Sequence, residues 1–441
     1  MHDKPNILLI TIDSLRADHL GCYGYHRDTS PRMDALAEEG ALVEQFICSG
    51  IPTHVSYTNL YTGQHPITHG IVAHAGKNTL SREAPFLSEL FMEAGYLTCA
   101  VDNMMRGRMW FGRGYEFYID SSISLPLVLN VTCEDISRRA IQWLRTYADE
   151  QPFFLFLHYW DPHSPYVPPQ PYRHLYYQGD PNDPHIHDLE PWWNHPYSSG
   201  AISRDTWART AKGPITDPAY IEALYDQEIR YNDDGVATLL TALDDLGLAD
   251  NTLVILVADH GESMDEHNIF YEHHGLYEST LRVPFMARWP GRIPAGRRLP
   301  QTFTHMDIAP TVLEAADLPI PREMDGRSFL KQLTGEAQGG GYNRIISLEC
   351  SWQAKWGLRT DRYKFILARE PDLYGTPMRE LYDLAADPHE SHNLVDEQPE
   401  HAAQMEAELE AWIASRLDKL GKTVDPLVEH GVSLVARAAA R

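Results

Sequence analysis

Five short runs of almost continuous apolar residues restrict the fold of this chain more than any other feature. The runs are NILLITID at 6–13, YLTCAVDN at 96–103, PFFLFLHYW at 152–160, TLVILVADH at 252–260 and VPFMARWP at 283–290. Such runs are typical of strands buried on both faces of a sheet. Amphipathic segments separate the runs, and several of them end at glycine, which predicts helices. The alternation predicts an α/β fold with a large, mixed, mostly parallel sheet between helices.

The length of 441 residues predicts one large domain and a smaller one. We assign residues 1–340 to the large domain, and within it residues 170–215, rich in Pro, His, Asp and Trp, predict an insertion. A long insertion can form a lid or substrate wall, or it can be a solvated connector. Residues 341–422 predict a small α+β subdomain with an antiparallel sheet. The tail at 423–441 has too little apolar surface to fold alone, so we expect it to contact another subunit in a homo-oligomer.

Composition excludes some classes of partner. The net charge of −25 argues against nucleic acid, which binds basic surfaces, and an anionic substrate would need local cations or a bound metal. No segment has the ~20 consecutive apolar residues of a membrane span, and the N-terminus lacks a signal-peptide core. The five cysteines are odd in number and lack CxxC spacing, which favours a reducing compartment. We therefore expect a cytoplasmic protein with no membrane partner.

Residues suited to metal binding follow three of the predicted strands. Asp13 follows the first strand, Asp259 and His260 follow the fourth, and His158 lies near the end of the third. The carboxyl ends of parallel strands meet at one edge of a sheet, so we expect these side chains to lie together. A carboxylate beside an imidazole suits a divalent metal ion, although each residue alone is also explained by a helix cap or a backbone hydrogen bond.

The chain contains 22 histidines, so only clustering makes any one of them a candidate. His158, Asp161 and His163 lie on the proline-stiffened segment HYWDPHSPY, where they could orient a leaving group, donate a proton or hold a second metal ion. His273 and His274 in YEHHGLYE could do the same.

Thr53 opens a segment, THVSYTNLYTG, that predicts a helix after Pro52. Most hydroxyl residues at such positions are ordinary helix caps. The unpaired N–H groups of a helix N-terminus also favour a bound anion, and a divalent metal can activate a threonine hydroxyl as a nucleophile.

The order of motifs along almost the whole chain resembles the sulfatase branch of the alkaline phosphatase superfamily. That branch includes arylsulfatases, phosphonate monoester hydrolases and phospho-alcohol transferases. The motifs that carry the resemblance are NILLITIDSLRADHLGCYGY, LYTGQHPITHGI, HYWDPHSPYVPPQPY, VADHGESMDEHNIFYEHHGLYESTLRVPFMARWPG, THMDIAPTVLEAADLPIP, MDGRSFL, RTDRYKFI and ELYDLAADPHESHNL. The resemblance implies an alkaline-phosphatase-like fold and an enzyme that hydrolyses ester bonds of a small anionic substrate.

The nucleophile position departs from the sulfatase pattern. Sulfatases carry a cysteine in C-x-P-x-R that is oxidised to formylglycine, whereas here Thr53 stands at that place and Tyr57 replaces the arginine. Cys48 lies five residues too early to be the precursor. Superfamily members with Thr or Ser at this position act on phosphorus. The resemblance therefore implies hydrolysis of phosphodiesters or phosphonate monoesters through a phosphothreonine intermediate.

The metal ligands implied by the resemblance are Asp13, Thr53, Asp259 and His260. Ser14 replaces a second aspartate of sulfatases, and His260 stands where many of them have asparagine. Fewer oxygen ligands and an added imidazole favour Mn²⁺ first, then Zn²⁺ or Fe²⁺, over Ca²⁺. The resemblance implies one ion and leaves a second one open.

Substrate contacts are less well defined by the sequence. Asn103 stands near a lysine of sulfatases, Met105 replaces their histidine, and His273 or His274 could restore the missing cationic contact. We expect His163 or His158 to protonate the leaving group and Asp161 to line the site. Trp192 and Trp193 either receive a quaternary ammonium group by cation–π contact or pack the insertion onto the domain.

Three alternative functions stay open. They are a sulfate-ester hydrolase that works without formylglycine, a phospho-alcohol transferase, and a non-catalytic binding protein on the same scaffold. The absence of a membrane span weighs against the transferase, and the nearly complete set of ligands weighs against the binding protein.

Overall fold

The computed structural model describes residues 4–123, 131–149, 151–195 and 207–432. Its strands are β1 Asn6–Ile12, β2 Ala41–Ile47, β3 Leu97–Val101, β4 Phe117–Ile119, β5 Phe153–Tyr159, β6 Arg209–Thr210, β7 Gly213–Pro214, β8 Thr252–Ala258, β9 Arg282–Val283, β10 Phe285–Arg288, β11 Arg297–Thr304, β12 Arg344–Glu349, β13 Lys355–Thr360, β14 Tyr363–Ala368 and β15 Arg379–Asp383.

The helices connect the strands and include several short ones that the amphipathic pattern does not predict. They are α1 Pro31–Glu39, α2 Thr53–Thr62, α3 Pro66–His69, α4 Leu87–Glu93, α5 Cys133–Tyr147, α6 Glu190–Asn194, α7 Pro218–Asp245, α8 Glu278–Leu281, α9 Ile308–Ala315, α10 Leu330–Thr334, α11 Pro399–Lys419 and α12 Pro426–His430. Among the described residues, none of these helices combines the length and the apolar character needed to cross a membrane.

The main sheet has the order β11-β2-β10-β8-β1-β5-β3-β4, with β9 beside β2. The strands β8, β1, β5, β3 and β4 run parallel to one another, which confirms the predicted parallel centre. β10 runs antiparallel to β8 and β2, so the sheet is mixed. The strands β2, β4 and β11 carry no predicted run, because their apolar residues are interrupted by polar ones or are few.

Side chains that alternate along β5 show that helices cover both faces of the sheet. The ring of Phe156 lies 6.0 Å from that of Tyr57 on α2, and Phe154 stacks on Phe91 of α4 at 4.8 Å. On the opposite face, the hydroxyl oxygen of Tyr159 lies 2.8 Å from the hydroxyl oxygen of Ser137 on α5. This two-residue period places His158 on the same face as α2.

The C-terminal subdomain is a four-stranded antiparallel sheet of β12, β13, β14 and β15 with α11 packed on it, as predicted. Part of the tail folds here too. The side chain of Leu427 in α12 is fully buried, and Asp425 accepts a hydrogen bond from Trp356 Nε1 at 3.0 Å. Residues 433–441 of the proposed tail and residues 196–206 of the insertion lie outside the described residues.

A buried ion network joins this subdomain to the large domain. Glu278 of α8 accepts two hydrogen bonds from Arg359 of β13, at 2.9 and 3.1 Å, and lies 2.8 Å from Lys364 Nζ of β14. Lys364 also contacts Glu390 at 2.7 Å. Burial acts to raise the pKa of Glu278, but Lys364 and Arg359 outweigh it and hold that pKa well below its usual range.

We expect Glu278→Gln to lower the free energy of unfolding by about 3–5 kcal/mol at pH 7, because it leaves two buried cations without their shared anion. The native carboxylate has a depressed pKa, so its stabilisation is present above the unfolded pKa of about 4.3 and is lost as the pH falls below it. The difference between wild type and variant in urea unfolding should therefore shrink between pH 7 and pH 3.

Asp135→Asn provides the control, because Asp135 pairs with Arg138 at 2.7 Å on an exposed surface. It should cost less than about 1 kcal/mol at either pH. A Glu278→Gln effect no larger than that of the control would contradict the role of the network.

Candidate active site

Asp13, Asp259 and His260 meet at the carboxyl edge of the main sheet, directly after β1 and β8. Each offers one ligand atom, and these atoms all lie within 4.8 Å of one another. His260 Nε2 lies 3.2 Å from Asp259 Oδ2 and 3.8 Å from Asp13 Oδ1. The side chains of all three residues are 0% exposed. The structure therefore brings together the three strand-end residues that the sequence predicts as metal ligands.

The two carboxylates are positioned by hydrogen bonds that leave one oxygen unused. Ser14 N and His260 N donate to Asp259 Oδ1 at 3.2 and 2.9 Å, and Ser14 Oγ donates to Asp13 Oδ1 at 2.8 Å. Asp259 Oδ2 is buried and has no hydrogen-bond partner in the described part of the chain. Burial and the neighbouring Asp13 raise the pKa of Asp259 well above its usual value. An unpartnered, buried carboxylate beside a second one fits a divalent cation.

The backbone after β8 fixes the orientation of the His260 ring. His260 Nδ1 lies 2.9 Å from the carbonyl oxygen of Gly261, so Nδ1 carries the proton and the lone pair of Nε2 faces the carboxylates. Gly261 is required by close packing, since a Cβ there would lie 2.0 Å from the carbonyl oxygen of Ser279.

Thr53 is the first residue of α2, and its hydroxyl lies 3.2 Å from His260 Nε2. The structure thus places the predicted nucleophile beside the carboxylate cluster, at the N-terminus of a ten-residue helix. Tyr57 extends below the site and donates to Thr11 Oγ1 at 3.0 Å. Cys48 is fully buried, and its thiol lies 3.2 Å from the carbonyl oxygen of Asp259, which makes it a packing residue of this edge.

His158 connects the cluster to the carboxylate of Asp102, which no sequence motif singled out. Its Nε2 lies 3.2 Å from Asp13 Oδ2 and its Nδ1 lies 2.9 Å from Asp102 Oδ1. Burial alone would lower the pKa of His158, but hydrogen bonds to Asp102 and Asp13 outweigh it and raise that pKa to about 9. Both ring nitrogens are thus engaged by carboxylates, which favours a positioning role for His158 over proton donation to a leaving group. Asp102 follows β3, so the strand-end rule could have found it.

His163 and His273 face each other at the open side of the cluster. Their ring centroids are 5.1 Å apart, and His273 stacks on His260 at 4.7 Å. His163 Nδ1 lies 2.6 Å from the carbonyl oxygen of Ser164, so Nε2 is the nitrogen left to exchange a proton. His274 lies behind His273, with Nδ1 3.2 Å from Glu349.

Two further histidines border the site without a sequence signal that would single them out. The rings of His54 and His74 stack with centroids 3.8 Å apart, and His74 Nδ1 has no hydrogen-bond partner among the described residues. Burial lowers the pKa of His74 to about 4, with the charges of Asp13 and His163 acting in opposite directions. His54 directly follows Thr53, whereas His74 lies in a loop that carries no recognisable motif.

Asn103 and Asp161, the predicted substrate contacts, both have structural partners. Asn103 Oδ1 accepts a hydrogen bond from Trp160 Nε1 at 3.1 Å, and the residue is only 4% exposed. Asp161 Oδ2 accepts from Cys133 N at 3.1 Å, at the first turn of α5. Burial raises the pKa of Asp161 to about 7. These contacts favour supporting roles, in which the two residues hold the loops around His163.

Trp192 and Trp193 pack the insertion onto the large domain, which is the second of the two expectations for them. Trp192 is 1% exposed, and its ring lies 4.9 Å from that of Tyr271. Trp193 Nε1 donates to the carbonyl oxygen of Ile215 at 2.9 Å. A buried Trp192 does not offer the open aromatic face that a quaternary ammonium group needs, so the structure does not favour the cation–π wall.

Comparison with known proteins gives a family match over most of the chain. The sulfatase family model matches residues 5–318. A second model, the C-terminal region of N-sulphoglucosamine sulphohydrolase, matches residues 265–419.

Individual relatives agree with this match. An arylsulfatase of Clostridium perfringens is 27% identical and covers 89% of this chain and 90% of its own length. Mouse iduronate 2-sulfatase is 27% identical, with 86% of this chain and 77% of its own covered. The solved phosphonate monoester hydrolase of Agrobacterium radiobacter has a TM-score of 0.76 at 20% identity, covering 94% and 96% of the two chains, which shows the common fold. The chain therefore belongs to the sulfatase family of ester-bond hydrolases.

Proposed function

We propose that this enzyme hydrolyses phosphoesters, namely phosphodiesters or phosphonate monoesters, with Thr53 as the nucleophile. The observation that carries the proposal is the Thr53 hydroxyl, 3.2 Å from His260 Nε2 within the cluster of Asp13 and Asp259. A hydroxyl at a helix N-terminus is well placed for an anionic ester, because the unpaired N–H groups of the first turn attract negative charge.

Threonine favours phosphorus over sulfur as the reacting atom. A formylglycine hydrate releases sulfate by re-forming its aldehyde. Threonine cannot form an aldehyde in this way, so it cannot release sulfate by the same step. A phosphothreonine can instead be cleaved by water attacking phosphorus, which regenerates the hydroxyl. The buried thiol of Cys48 provides no alternative nucleophile, since it is 0% exposed and its pKa is raised well above the usual value by burial.

Thr53 reacts as its alkoxide, and its hydroxyl proton passes to solvent before the step. In the first step, Thr53 Oγ1 attacks phosphorus and forms the Oγ1–P bond as the bond from phosphorus to the leaving oxygen breaks. His163 Nε2 lies on the open side and donates the proton that the leaving oxygen needs. In the second step, neutral His163 accepts a proton from water as the water oxygen bonds to phosphorus, the Oγ1–P bond breaks and Thr53 leaves as the alkoxide. A general acid and base of this kind contributes about 10²–10⁴-fold to the rate.

Enzymes of the sulfatase family use a divalent metal ion, and we assign its ligands here to Asp13, Thr53, Asp259 and His260. When bound, such an ion lowers the pKa of the hydroxyl and offsets negative charge at the reacting group. His158 holds Asp13 in place for this role, and Asp102 in turn orients His158. The imidazole ligand favours Mn²⁺, followed by Zn²⁺ and Fe²⁺, over Ca²⁺.

Sulfate-ester hydrolysis is the second candidate, favoured by the names of the relatives, which include an arylsulfatase and an iduronate 2-sulfatase. In sulfate-ester hydrolysis, Thr53 would have to release sulfate without the aldehyde that formylglycine re-forms. The relative rates with sulfate and phosphorus esters therefore distinguish the two candidates.

We expect Thr53→Val, which keeps the side-chain shape and removes only the hydroxyl, to lower kcat for a phosphodiester by about 10³-fold or more. Thr53→Ser keeps the hydroxyl and should retain activity within about tenfold. Mass spectrometry of acid-quenched wild type should show one added phosphoryl group, or phosphonyl group with a phosphonate substrate, on the peptide containing Thr53. Undiminished turnover by Thr53→Val would refute the nucleophile assignment.

The preference for phosphorus can be measured with four esters of one aryl alcohol, namely a diester, a phosphonate monoester, a phosphate monoester and a sulfate. We expect kcat/KM for the diester or the phosphonate monoester to exceed that for the sulfate by about 10²-fold or more, because only the phosphorus intermediate can be cleaved by water. A higher kcat/KM for the aryl sulfate would favour the second candidate.

Metal titration of chelator-treated protein tests the ligand set. We expect Mn²⁺ or Zn²⁺ to bind at least about tenfold more tightly than Ca²⁺, because an imidazole takes the place of an oxygen ligand. Asp259→Asn should weaken Mn²⁺ binding by about 10²-fold while the protein stays folded, since the oxygen it replaces has no other partner. Preferential Ca²⁺ binding in calorimetry would contradict the proposed metal class.

A further inference from the structure

A second group of ligand-type side chains lies beside the first, in the loop that follows β8. Ser263 N donates to the carbonyl oxygen of Glu272 at 2.8 Å, and Glu272 N donates back to Ser263 at 3.3 Å, so the loop is closed by a backbone pair. The side chains of Glu272, His273 and His274 converge from this loop. One ligand atom from each lies within 4.8 Å of the other two.

Several polar atoms of this group are buried without hydrogen-bond partners in the described part of the chain. They include both ring nitrogens of His274 and Nδ1 of His273. Both carboxylate oxygens of the neighbouring Glu262 are also buried without a hydrogen-bond partner among the described residues, and Glu262 is 0% exposed. Leaving so many polar atoms without partners is costly, and this cost would be removed if a cation bound among them.

The surroundings of His274 have the arrangement that orients a metal-binding imidazole. Its Nδ1 lies 3.2 Å from Glu349 Oε1, while its Nε2 lies 3.6 Å from Glu272 Oε2. Glu349 is itself fixed, because its Oε2 accepts a hydrogen bond from Gly275 N at 2.8 Å. The Glu349 carboxylate lies near enough to Nδ1 to accept its proton once Nε2 binds a metal ion, and such a carboxylate raises the basicity of the imidazole.

We propose that Glu272, His273 and His274 form a second divalent-metal site, with Glu349 behind His274 and the carboxyl group of Glu262 beside it. Two imidazoles and a carboxylate suit Zn²⁺, Mn²⁺ or Fe²⁺, whereas Ca²⁺ and Mg²⁺ prefer oxygen ligands alone. The two metal sites are neighbours, because the His273 ring stacks on His260 at 4.7 Å.

The site itself does not depend on the proposed reaction, but its use in catalysis rests on it. A metal ion in the second site would attract the anionic ester from the side where His163 faces His273.

A different explanation is that the two histidines bind the substrate anion directly, as imidazolium groups. Glu262, Glu272 and Glu349 argue against it, because their oxygens lie 3.2 to 3.8 Å from the ring nitrogens, where they would compete with an anion and add ligands for a metal ion. Metal stoichiometry distinguishes the two explanations.

The experiment is a titration of chelator-treated full-length protein with Zn²⁺ or Mn²⁺ alone, followed by calorimetry and by metal analysis after desalting. We expect two equivalents in wild type. His274→Gln and Glu272→Gln should each lose one equivalent and keep the other, and Asp259→Asn should lose the complementary one. His392→Gln is the matched control, because His392 pairs with Glu397 at 2.6 Å on an exposed surface, and it should keep both equivalents.

Two Mn²⁺ ions at neighbouring sites should also give an exchange-coupled electron paramagnetic resonance spectrum, which His274→Gln converts to that of an isolated ion. Circular dichroism of the metal-free variants checks that each one folds. One equivalent in wild type, or two equivalents retained in both His274→Gln and Glu272→Gln, would overturn the second site. Neither result would bear on Thr53, which is tested by the trapped phosphoryl group, so the two proposals fail separately.

Discussion

The structure depends on two buried carboxylates, Asp13 and Asp259, held next to each other where β1 and β8 end. Burial, together with the repulsion between the two anions, raises the pKa of Asp259, whereas the hydrogen bond with His158 and the nearby imidazoles hold the pKa of Asp13 well below its usual range. The protein resolves the repulsion by surrounding them with imidazoles and with backbone N–H groups. The central parallel strands and the first turn of α2 all serve to hold this arrangement.

The centre of this site could be predicted because it follows from strand ends. β1, β5 and β8 are long apolar runs, and parallel strands bring their carboxyl ends together, so Asp13, His158 and Asp259 were expected as neighbours. Asp102 obeys the same rule at the end of β3, but a single aspartate after a short strand carries little weight in a sequence. His74 could not be predicted, because a loop residue reaches the site through tertiary packing that leaves no periodic pattern.

The chemical roles of the site residues were harder to predict from the sequence than their positions in the fold. His158 has the residue type of a general acid, and only the contacts with Asp102 and Asp13 show that both of its nitrogens are engaged. Trp192 has the residue type of a binding wall, and only its burial shows that it packs the insertion. The antiparallel direction of β10 also could not be predicted, because a short buried run has the same composition in either direction. The cytoplasmic location and the homo-oligomer stay predictions.

The strand β12 has a consequence for how such an enzyme can be divided. Ser347 Oγ donates to the carbonyl oxygen of Cys48 at 2.6 Å, and Ile51 N donates to that of Leu348 at 3.1 Å, just ahead of Thr53, the proposed nucleophile. Glu349 at the end of the same strand stands behind His274. The boundary between the two folding units therefore crosses the reaction centre, and a truncated or recombined version that respects the visible domain border would still cut through the catalytic apparatus. Exchange of the C-terminal part should accordingly change the chemistry of this site.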